Sequence, residues 1–133
     1  MPIAWAIDHA ARIVVGTADG RLGLKEVEGY LDGMAQTATL SYRKLLDLTQ
    51  CAPELSQEDL TSLGARVNAY RVEGAMGPAA IVVASEEAYQ QARRFGELTA
   101  ARRSLKIFRE LGDAYRWLGT EPATATRQVA AGN

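Results

Sequence analysis

"YRKLLDLTQCAPELSQEDLTSLG", Tyr42 to Gly64, is the stretch on which the reading of the fold turns. "KLLDL" is short and apolar, and it delivers Asp47 to its end, as a strand would. Thr49 and the residues up to Leu55 read as a loop rich in polar side chains. Ser56, with Asp59 three positions on, has the S-x-x-D form of a capping box. Leu60, Leu63, Val67 and Tyr70 follow at helical spacing and make the inner stripe of a helix. A strand leading through a short connection into a capped helix is the unit from which parallel sheets are built.

Working outward from it, "IAWAID" sets Ile3, Trp5 and Ile7 on one face, with Ala4 and Ala6 between them. That two-residue period marks a strand with one better-buried face. "DHAA" is too short for a crossover, so "RIVVGTA" pairs back on it as an antiparallel hairpin, with "DGRLG" ending the second strand at Gly20 and Gly23. Leu24, Val27, Leu31 and Met34 then recur at helical spacing.

Beyond the central stretch, "EGAMGP" stops the helix and "AAIVVAS" is apolar until Ser85. An unbroken run of this kind suits an interior parallel strand covered on both faces. Ser85, with Glu86 and Glu87 after it, caps a third helix whose inner face carries Tyr89, Ala92, Phe95 and Thr99. "LKIF" is a last strand and "LGDAYRWLG" a last short helix. The order is β-β-α-β-α-β-α-β-α: an α/β domain over residues 1–118, with a mixed, mainly parallel five-stranded sheet. Residues 119–133, "GTEPATATRQVAAGN", have nothing periodic to bury and read as a loosely packed tail.

Composition bounds the chemistry. The 133 residues are one domain's worth, 47% hydrophobic and 23% charged, and the formal net charge of −1 favours neither nucleic acid nor an anionic membrane as partner. No apolar run approaches the roughly 20 residues of a membrane span. "MPIAWAIDHA" lacks a basic leader followed by a long apolar segment, so a cytoplasmic location is the default expectation. Cys51 is the only cysteine, which excludes an internal disulfide and a multi-cysteine zinc site. No H-x-x-x-H or C-x-x-C pair occurs, and "GTADGRLG" lacks the Lys-Ser/Thr of a phosphate loop, so no metal or cofactor is expected.

The order of elements, "LLDLTQ" on the third strand and the ending "FRELGDAYRWLG" resemble the STAS-like family. This is the fold of the sporulation anti-sigma-factor antagonists, shared with the CRAL-TRIO lipid-transfer domains. The likeness covers residues 3 to 118 and is greatest to a bacterial branch of small single-domain STAS-like proteins. In the regulatory members, a strand ending in Asp-x-Ser/Thr precedes Asp-Ser/Thr-Ser/Thr-Gly, whose first hydroxyl after the aspartate is phosphorylated by a partner kinase. "DLT", Asp47 to Thr49, is similar to the first half; "QEDLTSLG" departs from the second, with Leu60 in the acceptor's place. Thr61 and Ser62 are the nearest hydroxyls, rotated from it by roughly 100° or 200° around the helix. The resemblance therefore implies the fold without the phosphorylation switch.

In open α/β sheets, ligands sit outside the carboxyl ends of the parallel strands, which points to Asp47, Thr49, Ser85, Phe108 and Arg109 as ligand- or partner-binding candidates. Against that, Asp47 can simply bond the nearby backbone, and Ser56 and Ser85 read first as helix caps. His9, the only histidine, falls in the hairpin turn, away from that edge, so no Ser-His-Asp or Cys-His scheme is expected. Cys51 reads as a partly buried, inert thiol. Arg93, Arg94, Arg102, Arg103, Lys106, Arg109 and Arg116 crowd one stretch, but Glu97, Glu110 and Asp113 among them make a solvated face.

The resulting expectation is a non-enzymatic regulatory module that binds a protein partner. The alternative is a small-molecule or lipid binder with a pocket at the C-terminal edge of the sheet. A homodimer is expected through the first strand, with Trp5, Tyr30 and Met34 supplying apolar contact.

Overall fold

The alternation around Trp5 folds as strand β1 (Ile3–Asp8) in the computed structural model, which describes residues 3–73, 76–99 and 104–120. Asp8 Oδ1 accepts the amide of Ala11 at 3.0 Å to close the turn into β2 (Ile13–Leu22). The remaining elements follow in the order read from the sequence. They are α1 (Leu24–Gln36), β3 (Arg43–Pro53), α2 (Gln57–Glu73), β4 (Ala79–Val82), α3 (Glu86–Leu98), β5 (Leu105–Phe108) and α4 (Leu111–Leu118). Strand order across the sheet is β1-β2-β3-β4-β5, antiparallel between β1 and β2 and parallel elsewhere. The apolar "AAIV" of β4 is interior, between β3 and β5, and its residues are buried from both faces.

Two boundaries differ from the sequence reading, and for one reason. Neither does β2 stop at Gly20 nor β3 at Leu48: the two run on as a parallel pair, Asp19 with Gln50 through Leu22 with Pro53. The register shifts between Thr17–Asp47 and Asp19–Gln50, so β3 spends one more residue there than β2. Gly20, at φ +77°, takes the left-handed conformation this irregular stretch requires. The inward positions on β3 consequently step from Leu46 and Leu48 to Cys51 and Pro53. What reads as a loop is the far half of a bulged strand.

The sheet divides the interior into two unequal cores. Helices α1, α2 and α3 cover one face, packing on Ile3, Trp5, Ile7, Val14, Leu48 and Ile81. Helix α4 alone covers part of the other, where Ala114, Tyr115 and Leu118 meet Ile13, Leu45 and Val82. Arg43 latches α4 to the hairpin: its Nη1 donates to the carbonyl of Leu118 at 2.8 Å and its Nη2 to that of Ala11 at 2.5 Å. Gly119, at φ +74°, ends the helix. Of the tail inferred from the sequence, residues 121–133 lie outside the described residues.

The apolar dimer contact read from the sequence is not on the surface. β1 is indeed an edge strand, but Trp5, Tyr30 and Met34 are only 5%, 4% and 1% exposed. The indole and phenol rings meet edge to face at 5.4 Å inside the larger core. These residues hold α1 to the sheet instead.

Candidate functional site

The rim residues named from the sequence are separately committed. Asp47 Oδ1 accepts both the amide of Thr49 at 2.9 Å and its hydroxyl at 2.6 Å. Asp47 thus stitches the extra residue of the β3 bulge, which gives the "DLT" motif a structural purpose. Asp47→Ala is expected to lower unfolding stability by about 1–2 kcal/mol. Urea denaturation checks this; an unchanged midpoint would show that the bulge holds without the stitch.

Ser85 caps α3, accepting the amide of Ala88 at 3.1 Å. Ser56 and Asp59 form the reciprocal capping box, each side chain accepting the other's amide at 3.0 Å. Phe108 packs against Trp117 under α4, and Arg109 bonds Glu86 at 2.9 Å while lying over the ring of Tyr89. The other basic residues behave similarly: Arg93 faces Glu97, Arg94 bonds Gln57 and Arg116 bonds Asp113. Arg102 and Arg103 lie outside the described residues. Ser62 is exposed, and the exposed Thr61 donates its hydroxyl back to Gln57 at 3.0 Å. Leu60 is buried.

His9 sits in the hairpin turn and shares a hydrogen bond with the Tyr42 hydroxyl at 2.8 Å. Cys51 is half-buried on β3, and burial, with the charges of Asp47 and Asp19, pushes its thiol up to about 11. A thiol so shifted stays protonated at neutral pH and is a poor nucleophile. Among the described residues, no three His, Cys, Asp or Glu side chains gather closely enough to hold a metal ion. No helix of the described residues is long and apolar enough to cross a membrane.

What the structure does build is a cavity on the three-helix face. Its volume is about 90 Å³. Tyr30 and Met34 reach it from α1, Lys44 and Leu46 from β3, and Val67 and Arg71 from α2. A second cavity of about 60 Å³ adjoins it toward Leu55 and Gln91, with Val27, Leu46, Ile81 and Phe95 lining both. None of the five rim candidates lines either one. The concave space lies between sheet and helices, not at the carboxyl edge of the strands.

Lys44, Arg71 and Tyr30 bring polar groups to the lining of the larger cavity. Lys44 Nζ donates to the carbonyls of Leu40, Tyr42 (2.9 Å) and Gly77 (3.4 Å). Burial, and the neighbouring Arg71, lower its pKa from 10.5 to about 8. Arg71 Nε and Nη2 and the Tyr30 hydroxyl are buried with no hydrogen-bond partner among the described residues. Among the described residues, no carboxylate lines the cavity. Above it, Arg66 ties α2 to α1, donating to Asp32 at 2.8 Å and Glu28 at 3.2 Å, and Tyr70 donates to Asp32 as well.

Sequence reading named Tyr30 only as a dimer contact and passed over Lys44 and Arg71, yet a periodic signal marks each. Lys44 shares the inward parity of Leu46 and Leu48; Arg71 follows Leu63 and Val67 at four-residue steps; Tyr30 stands three after Val27.

This order of elements, with a leading antiparallel pair and three further parallel strands under four helices, is the SpoIIAA-like, or STAS-like, fold. A solved structure that shares it is an uncharacterized protein from the DUF3478 family with a SpoIIAA-like fold, from Shewanella loihica PV-4. The two superpose with a TM-score of 0.59 at 21% identity, over 87% of this chain and 93% of that one. At that identity the likeness is one of fold. No protein-family profile matches the chain, and no curated protein sequence matches it.

Proposed function

We propose that the protein is a non-enzymatic binding module that holds a small, mainly apolar molecule between its sheet and helices α1–α3. The observation that carries this reading is the pair of adjoining apolar cavities, of about 90 and 60 Å³, beneath those helices. Well-formed apolar pockets with a few convergent polar groups are the usual form of a small-molecule site. The volumes suit a ligand of a few carbon atoms better than a complete lipid.

The reading as a protein-docking regulator has less support. A docking face wants a contiguous apolar patch, and the large hydrophobic side chain exposed among the described residues is Leu111, at 39%. The phosphorylation switch is also left out of the proposal, because Leu60 is only 4% exposed and belongs to the core.

Titration with 1-hexanol, followed by methyl NMR, tests the reading. Val27, Leu46, Val67 and Ile81 are expected to shift, while Leu45 and Val82 on the α4 face stay put. An unmoved spectrum, together with no bound species in the native mass spectrum of protein from its own host, overturns it.

A further inference from the structure

We infer that the larger cavity takes its ligand by an anionic head, a carboxylate seated on Arg71 and Tyr30 with the apolar body extending past Leu46 and Val67. This rests on the proposed binding function and specifies the chemistry of its ligand.

The case begins with the orphaned atoms. Arg71 Nε and Nη2 are buried and unpartnered among the described residues. These two nitrogens form one side of the guanidinium fork, the edge that meets both oxygens of a carboxylate. Guanidinium stays protonated in a protein, so it cannot escape burial by giving up its proton. Arg71 as a whole is half-buried, but a guanidinium edge shut away from water with unsatisfied donors is costly, and native structures rarely leave one so.

The surroundings give the sign of the missing charge. Lys44 lines the same cavity, and Arg71 acts on it as a like charge. Among the described residues, no Asp or Glu side chain lines the cavity to offset either. The acids of this region, Glu28 and Asp32, are engaged with Arg66 and Tyr70 on the outer side of the α1–α2 contact. Lys44 has its donors on three carbonyls, so it contributes field rather than a contact.

Tyr30 supplies a third donor. It is 4% exposed, lines the cavity and leaves its hydroxyl unpartnered. An oxyanion satisfies the fork and the hydroxyl together, and the apolar remainder of the cavity accepts the rest of the molecule. An uncharged ligand could accept a hydrogen bond there but would leave the guanidinium's charge uncompensated.

Hexanoate and 1-hexanol, matched in chain length, separate this inference from the binding function beneath it. At neutral pH, calorimetric titration is expected to give hexanoate at least a tenfold affinity advantage. Arg71→Met should abolish the advantage, bringing hexanoate to no better than the affinity the same variant shows for hexanol. Tyr30→Phe, which deletes an unpartnered hydroxyl and so is well tolerated by the fold, should reduce the advantage severalfold. Hexanol binding with no preference for hexanoate overturns the anionic head and leaves the apolar pocket standing. Binding of neither overturns both. A preference that survives intact in both variants places the anion elsewhere and also overturns the assignment. Should Arg71→Met fail to fold, the Tyr30→Phe comparison decides alone.

Discussion

Gly77→Ala is expected to be among the most destabilising single substitutions in the protein, costing about 3 kcal/mol or more. A Cβ at this position would lie 2.3 Å from the Tyr42 carbonyl oxygen and 2.4 Å from that of Ser41, with the Tyr42 carbonyl carbon at 2.8 Å. All three are backbone atoms, so no side-chain rotation relieves the clash. The neighbouring segments cannot easily part, because the Gly77 amide donates to Leu40 at 2.9 Å and the Lys44 amide to Pro78 at 2.8 Å. Separating them would also pull the Leu40, Tyr42 and Gly77 carbonyls away from Lys44. Ordinary overpacking costs 1–3 kcal/mol, and a rigid backbone obstacle belongs at or beyond the upper end, about 3 kcal/mol or more. Circular dichroism with urea denaturation reads this directly. A variant as stable as the parent would mean that the α1–β3 and α2–β4 connections are not packed as described.

The same corner makes stability depend on alkaline pH. Lys44 has a folded-state pKa of about 8 against an ordinary 10.5, mainly through burial and secondarily through Arg71. Above 10.5 the amine is neutral in both states and burial carries no ionic penalty. Between 10.5 and 8 the unfolded chain holds a proton that the folded one gives up, so this contribution to stability falls as the pH falls. Below 8 both states are protonated and the loss is complete. Its full size is on the order of 3 kcal/mol. Direct observation of the Lys44 Nζ proton equilibrium by NMR is the cleanest check, since it reads this one group. A midpoint at the ordinary lysine value would remove the effect.

Much of the architecture was legible because burial leaves a printed period. "AAIVVA" is apolar without interruption, which is what cover on both faces of an interior strand demands, and the stripes of α1 and α2 announce their inner sides. The extension of β2 and β3 was not legible. Gly20, Asp47 and Thr49 are turn-type residues locally, and only a partner strand some thirty residues away shows that they build a bulge rather than an exit. Local preference yields there to long-range pairing. What the rim candidates bond to was not legible for a related reason: Asp47, Ser85 and Arg109 are each engaged by a neighbour, and a sequence shows the residue but not its engagement. Cavities are harder still. Their volume depends on how closely three helices fit a sheet, although the polar interruptions at Lys44 and Arg71 within inward-facing stripes were available as clues.

The unequal covering of the two sheet faces gives the molecule two grades of permanence. Helix α4 is eight residues long, and its hold is a small apolar cluster with the Arg43 latch. Its detachment exposes Leu45 and Val82, neither of which lines the cavity, and leaves the cluster beneath α1–α3 in place. Such sub-global opening needs less free energy than whole-domain unfolding. Amides of β4 that point into neighbouring strands therefore keep their protons through it, while those of α4 exchange with solvent first. The three-helix side of the sheet and the α4 side are thermodynamically separable halves of a single domain.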